Sequence, residues 1–146
     1  MIASNHAFLS SRETFEAFVF AWESGTLPKS EWTHAAHVAI GSSYAVRFGD
    51  DAFARTRAGI IRYNESVGTI NGDDSGYHET LTRFWSIILT NFVASYSDPY
   101  DAAHDAVAEF GHQRSFHTDF YSFDVVRDTA ARKSWVPPDL CELPNS

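Results

Sequence analysis

The amino-acid sequence predicts an all-α fold, a compact single-domain bundle of about five to six helices with an extended C-terminal tail. Apolar residues recur at helical spacing in several segments, and most of these segments are bounded by a capping residue or a glycine. No window shows the sustained alternation of β-branched residues that is typical of strands. Because the 146 residues contain neither a repeat nor a linker, residues 1–146 are predicted to form one helical domain.

Capping residues and glycine stops define the first three predicted helices. Residues 10–13, Ser-Ser-Arg-Glu, form a capping-box pattern, and apolar residues follow at helical spacing until Gly25 ends the first helix. The second helix covers residues 32–48. The third begins at Asp50 and ends at Gly68.

Two more long helices are predicted further along the chain. A cluster of turn residues at 71–76 precedes the longest helix, residues 77–95, which we expect to be the central one. Asp98 and Pro99 are typical of a capping residue and a first helical position, and they begin a fifth helix that ends at Gly111.

The last part of the chain gives weaker signals. A short helix is predicted within residues 124–134, and residues 135–140 are predicted to form an extended tail that lies on the body of the domain. His112, Arg114 and His117 belong to an irregular stretch that includes the aromatic segment at residues 116–123. We expect this segment to contribute to packing rather than to act as a lid.

Charge and composition exclude several classes of function. Lys and Arg number 11 against 19 Asp and Glu, a net charge of −8, so a phosphate backbone or an anionic membrane would be repelled and neither partner is expected. The longest apolar run, residues 84–93, is too short to span a bilayer. The lone Cys141 cannot form an internal disulfide, and the first residues lack a signal-peptide pattern, so a cytoplasmic location is expected.

Three histidines carry the strongest signal for chemistry. His34 and His37 lie near the start of the second predicted helix, and a rotation of about 100° per residue places both on its core-facing side. His78 aligns with the apolar stripe of the fourth predicted helix. A cation bound by three neutral imidazoles would satisfy all of them and leave a position open for substrate. These histidines are therefore predicted to bind a divalent ion, which imidazole ligands alone do not identify as zinc, iron, nickel or copper.

Three further side chains are candidates for acid–base roles beside the histidines. Glu79 lies on the polar side of its helix, where Arg83 at i+4 accounts for it as a surface ion pair, although a distorted first turn would make it a fourth ligand or general base. Glu31 precedes His34 by three residues, a spacing that is also found in di-iron carboxylate bundles. Tyr63 ends the third helix and is a candidate to line a pocket.

Four segments of the chain together resemble a family of small bacterial helical proteins. They include the motifs Glu-Trp-Thr-His-x-x-His and Gly-Tyr-His-Glu-Thr, and they comprise residues 27–37, 61–64, 76–82 and 135–140. The resemblance implies no particular activity, substrate or cofactor. The function has to be argued from the residues themselves.

The leading hypothesis is a small metal-dependent enzyme that acts on a small apolar or aromatic molecule. A metal-free alternative uses the same histidines with Glu79 as general acid and base in an isomerase, lyase or cyclase. A third alternative is a non-catalytic module that binds a small molecule, in which each imidazole donates to a backbone carbonyl or hydroxyl. Gly41, on the stripe of His34, leaves room for a ligand in any of these cases.

Overall fold

The computed structural model describes residues 6–144 and folds them into α-helices joined by turns and short 3₁₀ segments. No strand occurs within that range, so the predicted all-α fold is confirmed. The ends of the predicted domain, residues 1–5 and 145–146, lie outside the described residues. No helix in the described range has the length and apolarity that a membrane span requires. In chain order the helices are α1 Arg12–Glu23, α2 His34–Phe48, α3 Ala52–Ser66, α4 Glu79–Phe92, α5 Pro99–Phe110 and α6 Thr129–Lys133.

Helices α1 and α5 begin close to where their capping patterns predict. The Ser11 hydroxyl accepts a hydrogen bond from the Thr14 amide at 3.1 Å, and the Asp98 carboxylate accepts one from the Asp101 amide at 2.9 Å. Both Asp98 carboxylate oxygens also accept hydrogen bonds from Nη1 of Arg12, at 2.5 and 2.6 Å. One carboxylate therefore caps α5 and joins it to α1.

Helix α2, not α4, is the central helix. It contacts α3, α4 and α5, and eight of its residues are buried, most of them alanines, serines or aliphatic residues. At Gly41 an added Cβ would lie 2.9 Å from the Leu89 side chain, so the glycine allows α4 to approach closely. The expectation that the fourth helix is central was wrong because a strong apolar stripe marks a helix at the border of the core, whereas a central helix is apolar on most faces.

Helices α2 and α4 each start two residues later than the sequence predicts. The Thr33 side chain caps α2 by accepting from the Ala36 amide at 3.2 Å. His78 has extended backbone angles (φ −127°, ψ 109°) and caps α4, because its Nδ1 accepts from the Leu81 amide at 3.1 Å. The prediction that His78 belongs to the apolar stripe of the helix was therefore wrong, since it stands before the first helical residue.

The C-terminal tail lies on α4, as predicted. The Thr80 hydroxyl donates to the Ser134 carbonyl at 2.9 Å and accepts from the Val136 amide at 3.0 Å. The Tyr121 hydroxyl also donates to the Val136 carbonyl, at 2.7 Å. Helix α6 lies within the predicted range of 124–134 and begins after Asp128, whose carboxylate caps it by accepting from the Ala131 amide.

Trp22 supports one wall of the interior. It is 1% exposed, and its ring stacks on Trp32 at 5.0 Å and on Tyr63 at 6.3 Å between ring centroids. Gly59 of α3 makes room for it, because a Cβ at that position would overlap the Trp22 indole. The positions of Trp32 and Tyr63 thus depend on a glycine in the helix opposite.

We expect Gly59→Ala to lower the free energy of unfolding by about 1–3 kcal/mol, because overpacking against Trp22 outweighs the higher helix propensity of alanine. Urea denaturation measures this. Gly72→Ala is the matched control, since an added Cβ there meets only an Ile70 methyl group at 3.6 Å. A Gly59→Ala protein as stable as the control would contradict the proposed contact.

Candidate functional site

A pocket of about 680 Å³ lies among α2, α3, α4 and the segment that follows α5. Its walls are largely apolar and include Trp32, Trp85 and Leu89. The structure brings four of the six predicted site residues to this pocket: His34, His37, His78 and Tyr63. A volume of this size is typical of sites for small molecules, which combine apolar walls with a few polar groups.

His34, the first residue of α2, has one ring nitrogen engaged. Its Nε2 lies 3.1 Å from the Phe110 carbonyl oxygen, and because a carbonyl only accepts, Nε2 carries the proton and Nδ1 a lone pair. The ring meets Trp85 edge-on at 5.0 Å between centroids. Burial lowers the pKa of His34 and the Phe110 carbonyl only partly opposes this, so the ring is uncharged at neutral pH.

His37 lies one turn further along α2 and also keeps a lone pair. Its Nδ1 donates to the Thr33 carbonyl at 2.9 Å, and no partner for Nε2 occurs among residues 6–144. The ring packs on Trp32 with 3.8 Å between centroids. Although His37 retains accessible surface where it lines the pocket, the surrounding protein removes much of its hydration, and this desolvation lowers its pKa to about 4.

His78 differs from the other two because both of its ring nitrogens are engaged. Nε2 donates to the Val125 carbonyl at 2.8 Å while Nδ1 accepts from the Leu81 amide. Burial lowers the pKa of His78, and the Val125 carbonyl partly opposes this. Its hydrogen bonds fix the start of α4 and attach the loop at Val125 to it. In this arrangement His78 has no lone pair left for a metal ion.

A metal ion bound by His34, His37 and His78 stays a prediction. Within residues 6–144, no three His, Cys, Asp or Glu side chains are grouped so as to hold an ion. Binding would require His78 to give up the Leu81 amide or the Val125 carbonyl. Elemental analysis of protein purified without a histidine tag measures the metal content directly.

The two predicted carboxylates lie outside the pocket lining. Glu79 accepts from the Tyr77 hydroxyl at 2.7 Å and pairs with Arg57, whose Nε lies 3.4 Å from its Oε1. The predicted partner, Arg83, instead lies over the rings of two aromatic residues, so that pairing was wrong. Glu31 is exposed in a 3₁₀ turn that precedes α2.

Tyr63 lines the pocket, and its hydroxyl is engaged as a donor. The hydroxyl donates to the Leu27 carbonyl at 2.7 Å, and burial raises the pKa of the phenol. Tyr63 therefore remains protonated at neutral pH. It can still accept a hydrogen bond from a bound molecule through its oxygen.

Arg114 and His117 also line the pocket, which the sequence did not predict. The neighbouring Phe116 does pack as expected, with centroids 5.8 Å from Trp85 and 5.7 Å from Phe110. His117 is 9% exposed, and its Nδ1 has no hydrogen-bond partner in the described part of the chain. Irregular segments have no sequence periodicity from which to predict which side chains face the interior. The clue available was only that connecting segments often carry binding residues.

No protein-family model matches the chain, and no curated protein or solved structure is detectably similar to it. The resemblance of its motifs to a family of small bacterial helical proteins therefore stays a prediction. The function has to be argued from the pocket.

We expect His78→Ala to lower the free energy of unfolding by about 1–2 kcal/mol, the usual effect of removing a helix cap. His78→Asn should lose less, because an asparagine oxygen can accept from the same Leu81 amide. Urea denaturation of both variants measures the difference. His104→Ala, on the more exposed side of α5, is the control. Equal losses for alanine and asparagine would argue against the capping role.

Acid should destabilise the protein through its pocket histidines. Desolvation lowers the pKa of four of them, so between about pH 6.5 and about pH 4 the unfolded chain binds more protons than the folded one. They are His34, His37, His78 and His117. The free energy of unfolding should therefore be largest above about pH 6.5 and fall as the pH drops.

Urea midpoints measured between about pH 7.5 and about pH 4.5 test this expectation. His37→Gln should make the dependence shallower, and His112→Gln, which changes an exposed histidine outside the pocket, is the matched control. If the two variants follow the same curve, His37 contributes nothing to the acid sensitivity.

Proposed function

We propose that this protein binds a small apolar or aromatic molecule in the pocket and holds a polar group of that molecule with His34 and His37. One observation carries the proposal. Each of these uncharged imidazoles uses one nitrogen for a backbone carbonyl, and each retains a second nitrogen that has no partner in residues 6–144. Both rings line a pocket whose walls are otherwise largely apolar.

The balance of energies supports a ligand with both an apolar body and a polar group. A two-ring molecule that buries about 200 Å² of apolar surface gains roughly 5 kcal/mol at about 25 cal/mol per Å². Loss of overall motion on binding costs about 4 kcal/mol or more. Apolar burial alone therefore gives weak binding, and hydrogen bonds to the two imidazoles supply the specificity.

Naphthalene-2-carboxamide is a suitable neutral probe, because its amide can donate to an imidazole and its rings match the aromatic walls. In ¹H–¹⁵N spectra we expect it to shift the indole signals of Trp32 and Trp85, which line the pocket. The signal of Trp135, on the C-terminal tail, should stay in place. Shifts confined to Trp135, or none at millimolar probe, would contradict the proposal.

A matched pair of variants on α4 tests the location of the pocket. Ser86→Phe places a ring in the pocket lining and should abolish binding of the probe, because the added side chain occupies the space. Thr90→Phe adds the same ring one turn further along, at an exposed position outside the lining, and should leave binding unchanged. Equal effects of the two substitutions would place the probe elsewhere.

Proton abstraction from the bound molecule is a second candidate function, favoured by the uncommitted Nε2 of His37. Desolvation by the surrounding protein keeps this imidazole uncharged at neutral pH although it is exposed to the pocket, so its lone pair is free to accept a proton. Glu79 pairs with Tyr77 and Arg57, so His37 would act without a carboxylate partner. The low pKa makes it a weak base, and only a modest rate acceleration is expected.

5-Nitrobenzisoxazole reports such a base. A base removes its ring C–H proton, the electron pair forms a nitrile, and the N–O bond breaks to release a coloured phenolate. We expect turnover by the wild type, loss in His37→Gln and retention in His112→Gln. Activity should fall only as the pH approaches about 4, where His37 becomes protonated. Full activity in His37→Gln would overturn this second candidate.

A further inference from the structure

The pocket and the whole chain differ in the sign of their charge. The chain has 19 acidic residues against 11 lysines and arginines. Within the described range, the pocket lining contains no aspartate or glutamate and six residues that are basic or can become so: Lys29, His34, His37, His78, Arg114 and His117. The protein is acidic, but the described lining of its pocket contains no carboxylate.

Arg114 is the fixed positive charge at this wall and has no partner of its own. Its guanidinium takes part in no ion pair or hydrogen bond with another residue of 6–144. Although burial has the largest effect in lowering the pKa values of His34 and His37, the charge of Arg114 also lowers both, so it acts on that end of the pocket. A guanidinium offers five donors in a fork that matches a carboxylate.

The start of α2 adds to the positive potential at the same end. Thr33 and His34 line the pocket, and the first peptide groups of a helix act as about half a positive charge. The bond from His34 to the Phe110 carbonyl holds the end of α5 against this turn, and Arg114 follows four residues later. His117 lines the pocket too, and the fold leaves part of its hydrogen-bonding capacity unused.

No carboxylate among residues 6–144 lines this end of the pocket. The acidic residues that act on pocket side chains from outside the lining are Glu31, Glu79, Asp124 and Asp128, and Glu79 is already paired with Tyr77 and Arg57. Oδ2 of Asp124 lies 3.9 Å from Nε of Arg127, and Asp128 caps α6. Glu31 is exposed in its 3₁₀ turn. Arg114 is exposed, and no carboxylate of the described residues competes with a bound anion for its guanidinium.

We propose that the natural ligand is a small aromatic or apolar carboxylate, with its carboxylate held by Arg114 beside the start of α2 and its apolar body between Trp32 and Trp85. This inference rests on the proposed function, since it names the class of molecule that the pocket takes. Both Arg114 and Lys29 are exposed. A single negative charge fits better than a doubly charged phosphate ester, because Arg114 is one fixed charge and Lys29 lies in the 3₁₀ turn that precedes α2.

Three probes of one shape test the inference: naphthalene-2-carboxylate, naphthalene-2-carboxamide and naphthalen-2-ylmethylammonium. Isothermal titration of the full chain measures the dissociation constant of each at neutral pH. We expect the carboxylate to bind at least about tenfold more tightly than the amide, and the ammonium compound to bind most weakly. An amide that binds as tightly as the carboxylate would overturn the inference while leaving the pocket itself established.

Variants of Arg114 test its assignment. Arg114→Gln should weaken binding of the carboxylate about tenfold and that of the amide far less, whereas Arg114→Lys should recover part of the loss. Arg127→Gln is the matched control, because Arg127 is an exposed arginine outside the pocket lining. Retention of the carboxylate preference in Arg114→Gln would overturn its role. Failure of both the amide and the carboxylate to bind the wild type would overturn the proposed function and this inference together.

Discussion

The pocket depends on the burial of α2. Its small side chains let α3, α4 and α5 pack around it, and its first turn, in which Ala35 and Ala36 are buried, lies at the pocket. The first amides of a helix need hydrogen-bond partners, and the Thr33 side chain supplies one by accepting from the Ala36 amide. Residues of this turn, His34 and His37, are placed at the pocket for the same reason. The packing of the central helix thus determines which side chains a ligand meets.

Backbone carbonyls then determine the chemical state of each imidazole. The carbonyl that accepts a hydrogen bond from a histidine fixes its tautomer, and the engagement of the other nitrogen separates His78 from His34 and His37. The sequence shows three equivalent histidines near two helix starts, because periodicity indicates a direction and nothing about hydrogen bonds. One of them proves to be a helix cap with no free lone pair. The two that remain free share a helix.

Most of the fold could be predicted from the sequence, because caps, glycine stops and apolar spacing are local properties. The caps at Ser11 and Asp98 illustrate this, since each lies within three residues of the amide it binds. The central position of α2 was missed because it depends on how helices pack against each other. Arg114 and His117 were missed for a related reason: their place at the pocket follows from the contact between α2 and α5, which brings together residues distant in sequence.

The net negative charge of the chain and the positive charge at the pocket act on different stages of carboxylate binding. The first affects the rate of association, and the second affects the strength of the bound contact. At a net charge of −8 the molecule repels an anion that approaches its surface. Dissolved salt screens this repulsion over about 8–10 Å. Inside the pocket the nearest charged group is Arg114, and the apolar walls weaken its interaction with a ligand far less than water would. Moderate salt should therefore speed association of a carboxylate while weakening its final contact. Salt acts in opposite directions on the association rate and on the strength of the bound contact, because the charge at the pocket is opposite in sign to the charge of the whole molecule.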